Sequence, residues 1–360
     1  MNNERKKSIM LTPGTLRVSP RVLEASSKLQ LNHRSPEIEG AFETIKANLR
    51  KIISLPNNFE LVFFPTTGRG GLEAIIAATV SSHKTLVVVN GRWATYMAEV
   101  AKENNPTVDI LELPHDAPID VEKLREVIAS KKPKAICFVS HETERGLLNP
   151  TKEIIQLCKA FGCYAVIDAM SSVVIEQTDF AALGASAFCF SASKGLRSLR
   201  DMGITAIAKL FAETLSPKGN YLNFAVEYKR QLKGLPRNPF PTGAVLALRE
   251  ATNELLEEGI ENRRASIQVN MKIIREWAKQ RNLEEITKPE YLGWCTMPFR
   301  LPGEWTYPKF REALLERGYD VFYSYEGEEG KTFEVSTMGF LSEKDMRGFT
   351  KAVDDILHIV

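Results

Sequence analysis

Ala187-Phe188-Cys189-Phe190-Ser191-Ala192-Ser193-Lys194-Gly195 sets a lysine three residues beyond an apolar run. Four or five apolar residues without polar alternation form the pattern of a strand covered on both faces, as in a parallel sheet. Six further runs of this kind occupy 61–64, 85–89, 109–113, 135–139, 164–168 and 204–208. Amphipathic stretches, 122–129 and 152–161 among them, lie between several of these runs. The alternation predicts an α/β domain with a large, mostly parallel, seven-stranded sheet and helices on both faces.

After about residue 209 the pattern changes to a long charged helical stretch, 244–280, and then to mixed strand and helix segments. We expect residues 1–250 to hold an N-terminal arm and the large domain, and 251–360 a smaller α/β domain. The first forty residues read as irregular and are expected to wrap across the site or a partner subunit.

Lys and Arg total 47 against 45 Asp and Glu, a net charge of +2, so no global pull toward nucleic acid or a membrane follows. The five cysteines are odd in number and none has metal-ligand spacing, which predicts a reducing, cytoplasmic compartment. The histidines are scattered, so no metal is expected. Met1 to Lys7 is polar and basic and leads into Pro13-Gly14, so neither a signal peptide nor a membrane span is expected.

Four signals stand at predicted strand ends, where open α/β sheets bind ligands. Lys194 at such a place can lose its proton and form an imine with an aldehyde, although most lysines are solvated. Asp168, closing Tyr164-Ala165-Val166-Ile167, can pair with a protonated pyridine nitrogen or simply cap a helix. Thr66-Thr67-Gly68-Arg69-Gly70-Gly71 can cradle a phosphate at a helix N-terminus, or can be a tight turn. Trp93, in Asn90-Gly91-Arg92-Trp93, can stack on a flat heterocycle or fill the core.

With these four in this order, the chain resembles the class V aminotransferases of fold-type I pyridoxal 5'-phosphate (PLP) enzymes. The likeness spans nearly the whole chain. It includes Leu11-Thr12-Pro13-Gly14, His33-Arg34-Ser35-Pro36-Glu37, Thr67-Gly68-Arg69, His141-Glu142-Thr143, Val166-Ile167-Asp168 and Ser193-Lys194. It implies a homodimer that moves an amino group between an amino donor and an oxo acid or aldehyde. It implies Lys194 as the Schiff-base lysine and proton shuttle, and Asp168 as the pyridinium partner. It further implies Trp93 as the stacking ring, Thr67, Gly68 and Arg69 as the phosphate loop, Ser193 beside the phosphate, and Thr143 near the 3'-oxygen. Gly14 falls on the substrate side.

Three departures bear on the substrate. Glu334, in Phe333-Glu334-Val335-Ser336-Thr337-Met338-Gly339, stands where the family presents an arginine to a substrate carboxylate. It either faces a cationic or neutral part of the substrate, or pairs with Arg197, Arg200 or Arg237 to orient a relocated anion clamp. Pro236 and Pro239 fall near positions where relatives reach the partner's phosphate, leaving Arg237, Asn238 or Thr242 as substitutes. Arg197 and Arg200, just after the lysine, can bind an anion or belong to a solvated loop. A PLP-dependent lyase on the same fold is the alternative chemistry, although no cysteine is placed as a desulfurase nucleophile. A non-catalytic PLP-binding regulator is a third reading, for which the chain has no spare length.

Overall fold

The computed structural model describes residues 8–27, 31–323 and 330–358; Met1 to Lys7, the polar leader, lies outside the described residues. All seven apolar runs enter one sheet, in the order Phe59–Phe64, Gly203–Ala208, Ala187–Ser191, Tyr164–Asp168, Ala135–Val139, Thr85–Val89, Asp109–Glu112. Only Gly203–Ala208 runs antiparallel to its neighbours. The fold is therefore the expected α/β type.

The period-two geometry of a strand sends successive side chains to opposite faces, and here both faces are apolar. In Ala135–Val139, Ile136 and Phe138 enter one core while Cys137 and Val139 enter the other. In Tyr164–Asp168, Ile167 and Val166 divide in the same way. Each fully buried Phe, Ile or Leu contributes about 1.5–3 kcal/mol through lost contact with water. The helices Gly68–Ser82 and Arg92–Asn104 cover one face, and Pro36–Ile52 and Thr151–Ala160 the other.

A third core gathers Met271, Ile274, Phe299, Phe310, Phe333, Val335, Phe349 and Val353 around the antiparallel pair Thr296–Arg300 and Thr332–Ser336. We propose the two assemblies as the large and small domains. Residue 250 falls within the helix Thr242–Glu258, whose Val245, Leu248 and Leu255 belong to the large-sheet core.

The arm is more regular than expected. Ile9–Met10 pairs in parallel with Tyr319–Asp320, Leu11 joins the third core, and Pro20–Ser27 is a helix packed on Thr242–Glu258. Arg21 fastens that helix by reaching Glu250 at 2.6 Å and Glu257 at 2.6 Å. No described helix is long and apolar enough to cross a membrane.

Gly203 faces both Phe64 and Ser191 across the sheet, so it sits between the loop after one strand and the lysine turn after the other. A Cβ there would meet Thr67 O at 2.9 Å and Gly71 N at 3.2 Å, both backbone atoms that cannot swing aside. Gly203→Ala is expected to lower unfolding free energy by about 1–3 kcal/mol through overpacking, and to loosen cofactor retention. Urea unfolding and a dialysis assay for retained PLP check both; no change in either would show that the helix start is free to shift.

Candidate active site

The carboxyl ends of the strands open on a cavity of about 450 Å3. Thr67, Gly68, Arg69, Trp93, Thr143, Asp168, Ser193, Lys194, Arg200, Glu334 and Gly14 all line it.

Lys194 follows Ala187–Ser191 in a turn closed by the Arg197 N–H donating to Lys194 O at 2.8 Å. Its Nζ donates to Pro13 O at 2.5 Å, so the arm crosses the lysine. Burial lowers its pKa, against the opposing pull of Cys295, Glu334 and Asp168. Asp168 ends Tyr164–Asp168, accepts from Met170 N at 2.9 Å, and is pushed up to about 6 by burial.

Gly68–Ser82 begins directly after Thr67, which lies extended and makes no side-chain cap bond. The first amides of a helix have no intrahelical acceptor and favour an anion. Ser191 Oγ and Ser193 Oγ lie 3.0 Å apart on the neighbouring wall. The Arg69 guanidinium stands over the rings of Trp93 and Tyr96, 4.8 Å from each centroid. The Tyr96 hydroxyl donates to Glu73.

Trp93 is set by a residue whose role the sequence did not disclose. The buried Glu142 carboxylate accepts from Trp93 N at 3.0 Å and Ala94 N at 2.8 Å, taking up two amides at the start of the helix Arg92–Asn104. Burial pushes Glu142 up to about 8 against those two bonds, and Asp168 and Glu144 add to the rise. A Cβ on Gly91 would lie 2.5 Å from the Glu142 carboxyl carbon, so only glycine admits this arrangement. The Trp93 Nε1 is buried and has no partner among the described residues.

Thr143 Oγ1 meets Ser171 Oγ at 2.5 Å, and Thr143 O accepts from Thr296 Oγ1 at 2.5 Å, which ties this turn to the third core. His141 lines the cavity, with Nε2 at 3.1 Å from Cys295 Sγ and Nδ1 at 3.4 Å from Glu176 Oε1. Burial opposes charge on the ring, but Cys295 and Glu176 outweigh it and raise His141 to about 10.

Glu334 is buried on Thr332–Ser336, its backbone paired with Phe322. Its Oε2 has no hydrogen-bond partner among the described residues. Burial pushes its pKa well up, with Lys194 opposing. Glu144, which sequence reading passed over although it follows Thr143 directly, lines the same cavity.

Arg197, read from the sequence either as an anion binder or as part of a solvated loop, is buried away from the cavity. It does not line the cavity; its buried Nε donates to Met338 O at 2.7 Å. Arg237 is also elsewhere, donating to Asn220 O, while Arg200 lines the cavity and reaches Thr15 Oγ1 at 3.0 Å. Arg237, Asn238 and Thr242 are all absent from the cavity wall.

These residues fit PLP. A buried carboxylate, a buried amine, an indole with an orphaned edge and a helix start suit a ring nitrogen, an aldehyde, a ring face and a phosphate.

The aminotransferase class-V family matches residues 21–289. The chain belongs to that family. It is a PLP-dependent aminotransferase of fold type I. It is 26% identical to a 2-aminoethylphosphonate–pyruvate transaminase of Syntrophobacter fumaroxidans over 97% of this chain and 96% of the relative. It is 24% identical to an (S)-ureidoglycine–glyoxylate transaminase of Bacillus subtilis over 93% of this chain and 87% of the relative. The structure of an alanine–glyoxylate aminotransferase from Nostoc sp. superposes with a TM-score of 0.90 at 22% identity, covering 99% of this chain and 97% of that one.

Asp168 makes a pH-dependent prediction for this class-V enzyme. Burial pushes the aspartate from its ordinary 3.8 up to about 6 in the folded chain. The folded state therefore binds the extra proton in that window, and stability falls as pH rises through it. Asp168→Asn should stabilise the cofactor-free protein by on the order of 2–3 kcal/mol at neutral pH, with the gain growing from about pH 4 to pH 7. It should also weaken PLP retention. Urea unfolding at pH 4, 5.5 and 7.5 reads the trend; a pH-independent difference would remove the buried carboxylate as its origin.

Proposed function

We propose that this aminotransferase takes its amino group from a donor that the usual arginine–carboxylate clamp does not hold, and gives it to an oxo acid or aldehyde. The observation that carries this reading is Glu334 sharing one buried cavity with Lys194 and Asp168.

Bound PLP supplies an aldehyde that exchanges amine partners and a ring that draws electrons from the carbon bearing the nitrogen. Lys194 is the amine that holds the cofactor between turnovers. Burial favours its unprotonated form, so the released Nζ can move a proton from the donor carbon. Asp168, as a carboxylate, keeps a proton on the ring nitrogen. Trp93, fixed by Glu142, covers a ring face. The amides of Gly68 and Arg69, with Thr67 and Ser193, take the phosphate, and Thr143 serves the 3'-oxygen.

The relatives' names pair an amine donor with pyruvate or glyoxylate. We take a small oxo acid as acceptor here too, with Arg200 and Arg69 available to its carboxylate. Gly14 stands on the substrate side, beside Lys194: a Cβ there would lie 3.4 Å from Nζ. We further take the enzyme to be a cytoplasmic homodimer. Its five cysteines are free, and Arg237, Asn238 and Thr242 lie off their own cavity, where they suit a partner's phosphate.

The purified protein should be yellow, and borohydride should fix the cofactor on the peptide holding Lys194. Lys194→Ala should lose the visible band and roughly 10²–10⁴-fold of activity or more. Transamination is separated from lyase chemistry by single turnover. The donor consumed must equal the amine later gained by an added oxo acid. Label on another lysine, or donor consumption without that balance, would sink the reading.

A further inference from the structure

Glu334 puts a carboxylate where an arginine was expected, and among the described residues no cation forms an ion pair with it. It is only 2% exposed, lines the cavity, and carries an oxygen without a partner among the described residues. Arg197 and Arg237 are committed to the Met338 and Asn220 carbonyls. Of the guanidinium groups that do line the cavity, neither pairs with Glu334: Arg200 bonds Thr15 through one nitrogen and Arg69 lies on the rings of Trp93 and Tyr96, which leaves both able to meet an incoming carboxylate.

A buried carboxylate is tolerated when it is neutral or when a cation is brought to it. The nearby cation is Lys194, which opposes the rise in the Glu334 pKa. Its own burial favours the unprotonated form, so Lys194 is not a lasting counter-charge for Glu334. Glu144, buried on the same wall 4.0 Å from Arg92, adds a second carboxylate to this side.

We propose that the amino donor is a diamine-type compound, a primary amine whose second pole is a protonated nitrogen received by Glu334. The assignment rests on the transaminase reading above and names the donor class within it. The donor carbon loses two electrons and becomes an aldehyde or ketone. Its nitrogen goes to the carbonyl carbon of the oxo acid, which gains those two electrons and becomes the amine. No outside oxidant is needed. The carboxylate of the acceptor meets the arginines, so one cavity serves a cationic donor and an anionic acceptor in turn.

The experiment has two arms. In the first, PLP-loaded enzyme is mixed with 1,3-diaminopropane, putrescine or cadaverine, and with butylamine, 4-aminobutanoate, alanine and 2-aminoethylphosphonate, while loss of the visible band is followed. In the second, the same compounds are titrated by calorimetry into borohydride-reduced enzyme, which binds without turnover. The best diamine should exceed butylamine at least tenfold in both rate per concentration and affinity. Glu334→Gln should abolish that advantage, so that the best diamine and butylamine differ by less than about twofold within the variant, with PLP retention unchanged. Glu334→Arg should turn preference toward the carboxylate-bearing donors.

Diamines no better than butylamine in the calorimetric arm would overturn the proposal, as would Glu334→Gln weakening every donor equally. Should the variant not fold, the wild-type comparison decides alone. If no compound bleaches the band, the transaminase reading falls, while the calorimetric arm still decides the donor class. Rapid bleaching by alanine with weak diamine binding defeats only the inference.

Discussion

The cost of holding charge away from water governs this cavity. Lys194, Asp168, Glu142 and Glu334 are each shifted toward the neutral form, and burial is the first cause in every case. They cannot relieve one another by collapsing into ion pairs. Asp168 and Lys194 stand at the ends of different strands, Glu142 is occupied by the amides of Trp93 and Ala94, and Glu334 comes from the third core. The strands are fixed by apolar side chains on both faces, so the groups stay apart. A ligand with complementary charge then supplies what the protein withholds. That is how a stable sheet can keep reactive groups in place without pairing them with one another.

The sheet was legible because burial on two faces leaves a continuous apolar run, a signal that survives without knowledge of neighbours. Strand direction was not, since periodicity is the same for either direction; the antiparallel course of Gly203–Ala208 appears only in the pairing. The arm read as irregular because the helix Pro20–Ser27 buries only Val22 and exposes Leu23. It is held by Val22 packing on Ala247 and Ala251, and by Ser19 and Arg21 meeting glutamates more than two hundred residues away.

At the site, residues that carry their own chemistry were readable, and residues that act through a neighbour were not. Lys194, Asp168 and Trp93 stand out by type and by place at strand ends. Glu142 works by accepting two amides from a different loop, and Tyr96 by offering its ring to Arg69. Arg197 was misread for the converse reason. A charged residue in a short loop looks the same whether its guanidinium meets solvent or a distant carbonyl. Met338, the acceptor here, lies 141 positions away.

The cavity is lined by different parts of the chain, and these parts meet at Lys194. The groups suited to PLP line the carboxyl ends of the strands, whereas Gly14 belongs to the arm and Glu334 to the antiparallel pair of the third core. The arm and that pair are laced together. Leu11 N donates to Asp320 O at 2.8 Å, and Ser336 N donates to Leu11 O at 2.7 Å. Two residues beyond Leu11, Pro13 O receives the Lys194 Nζ. Glu334 and the carbonyl touching the lysine thus share one hydrogen-bonded segment. A change in what occupies the Glu334 side can reach the lysine through that segment while the phosphate loop, on another strand end, is left undisturbed. In the function proposed above, donor chemistry would change at position 334 on an unaltered cofactor site, because Glu334 and the phosphate loop reach the cavity from different segments of the chain.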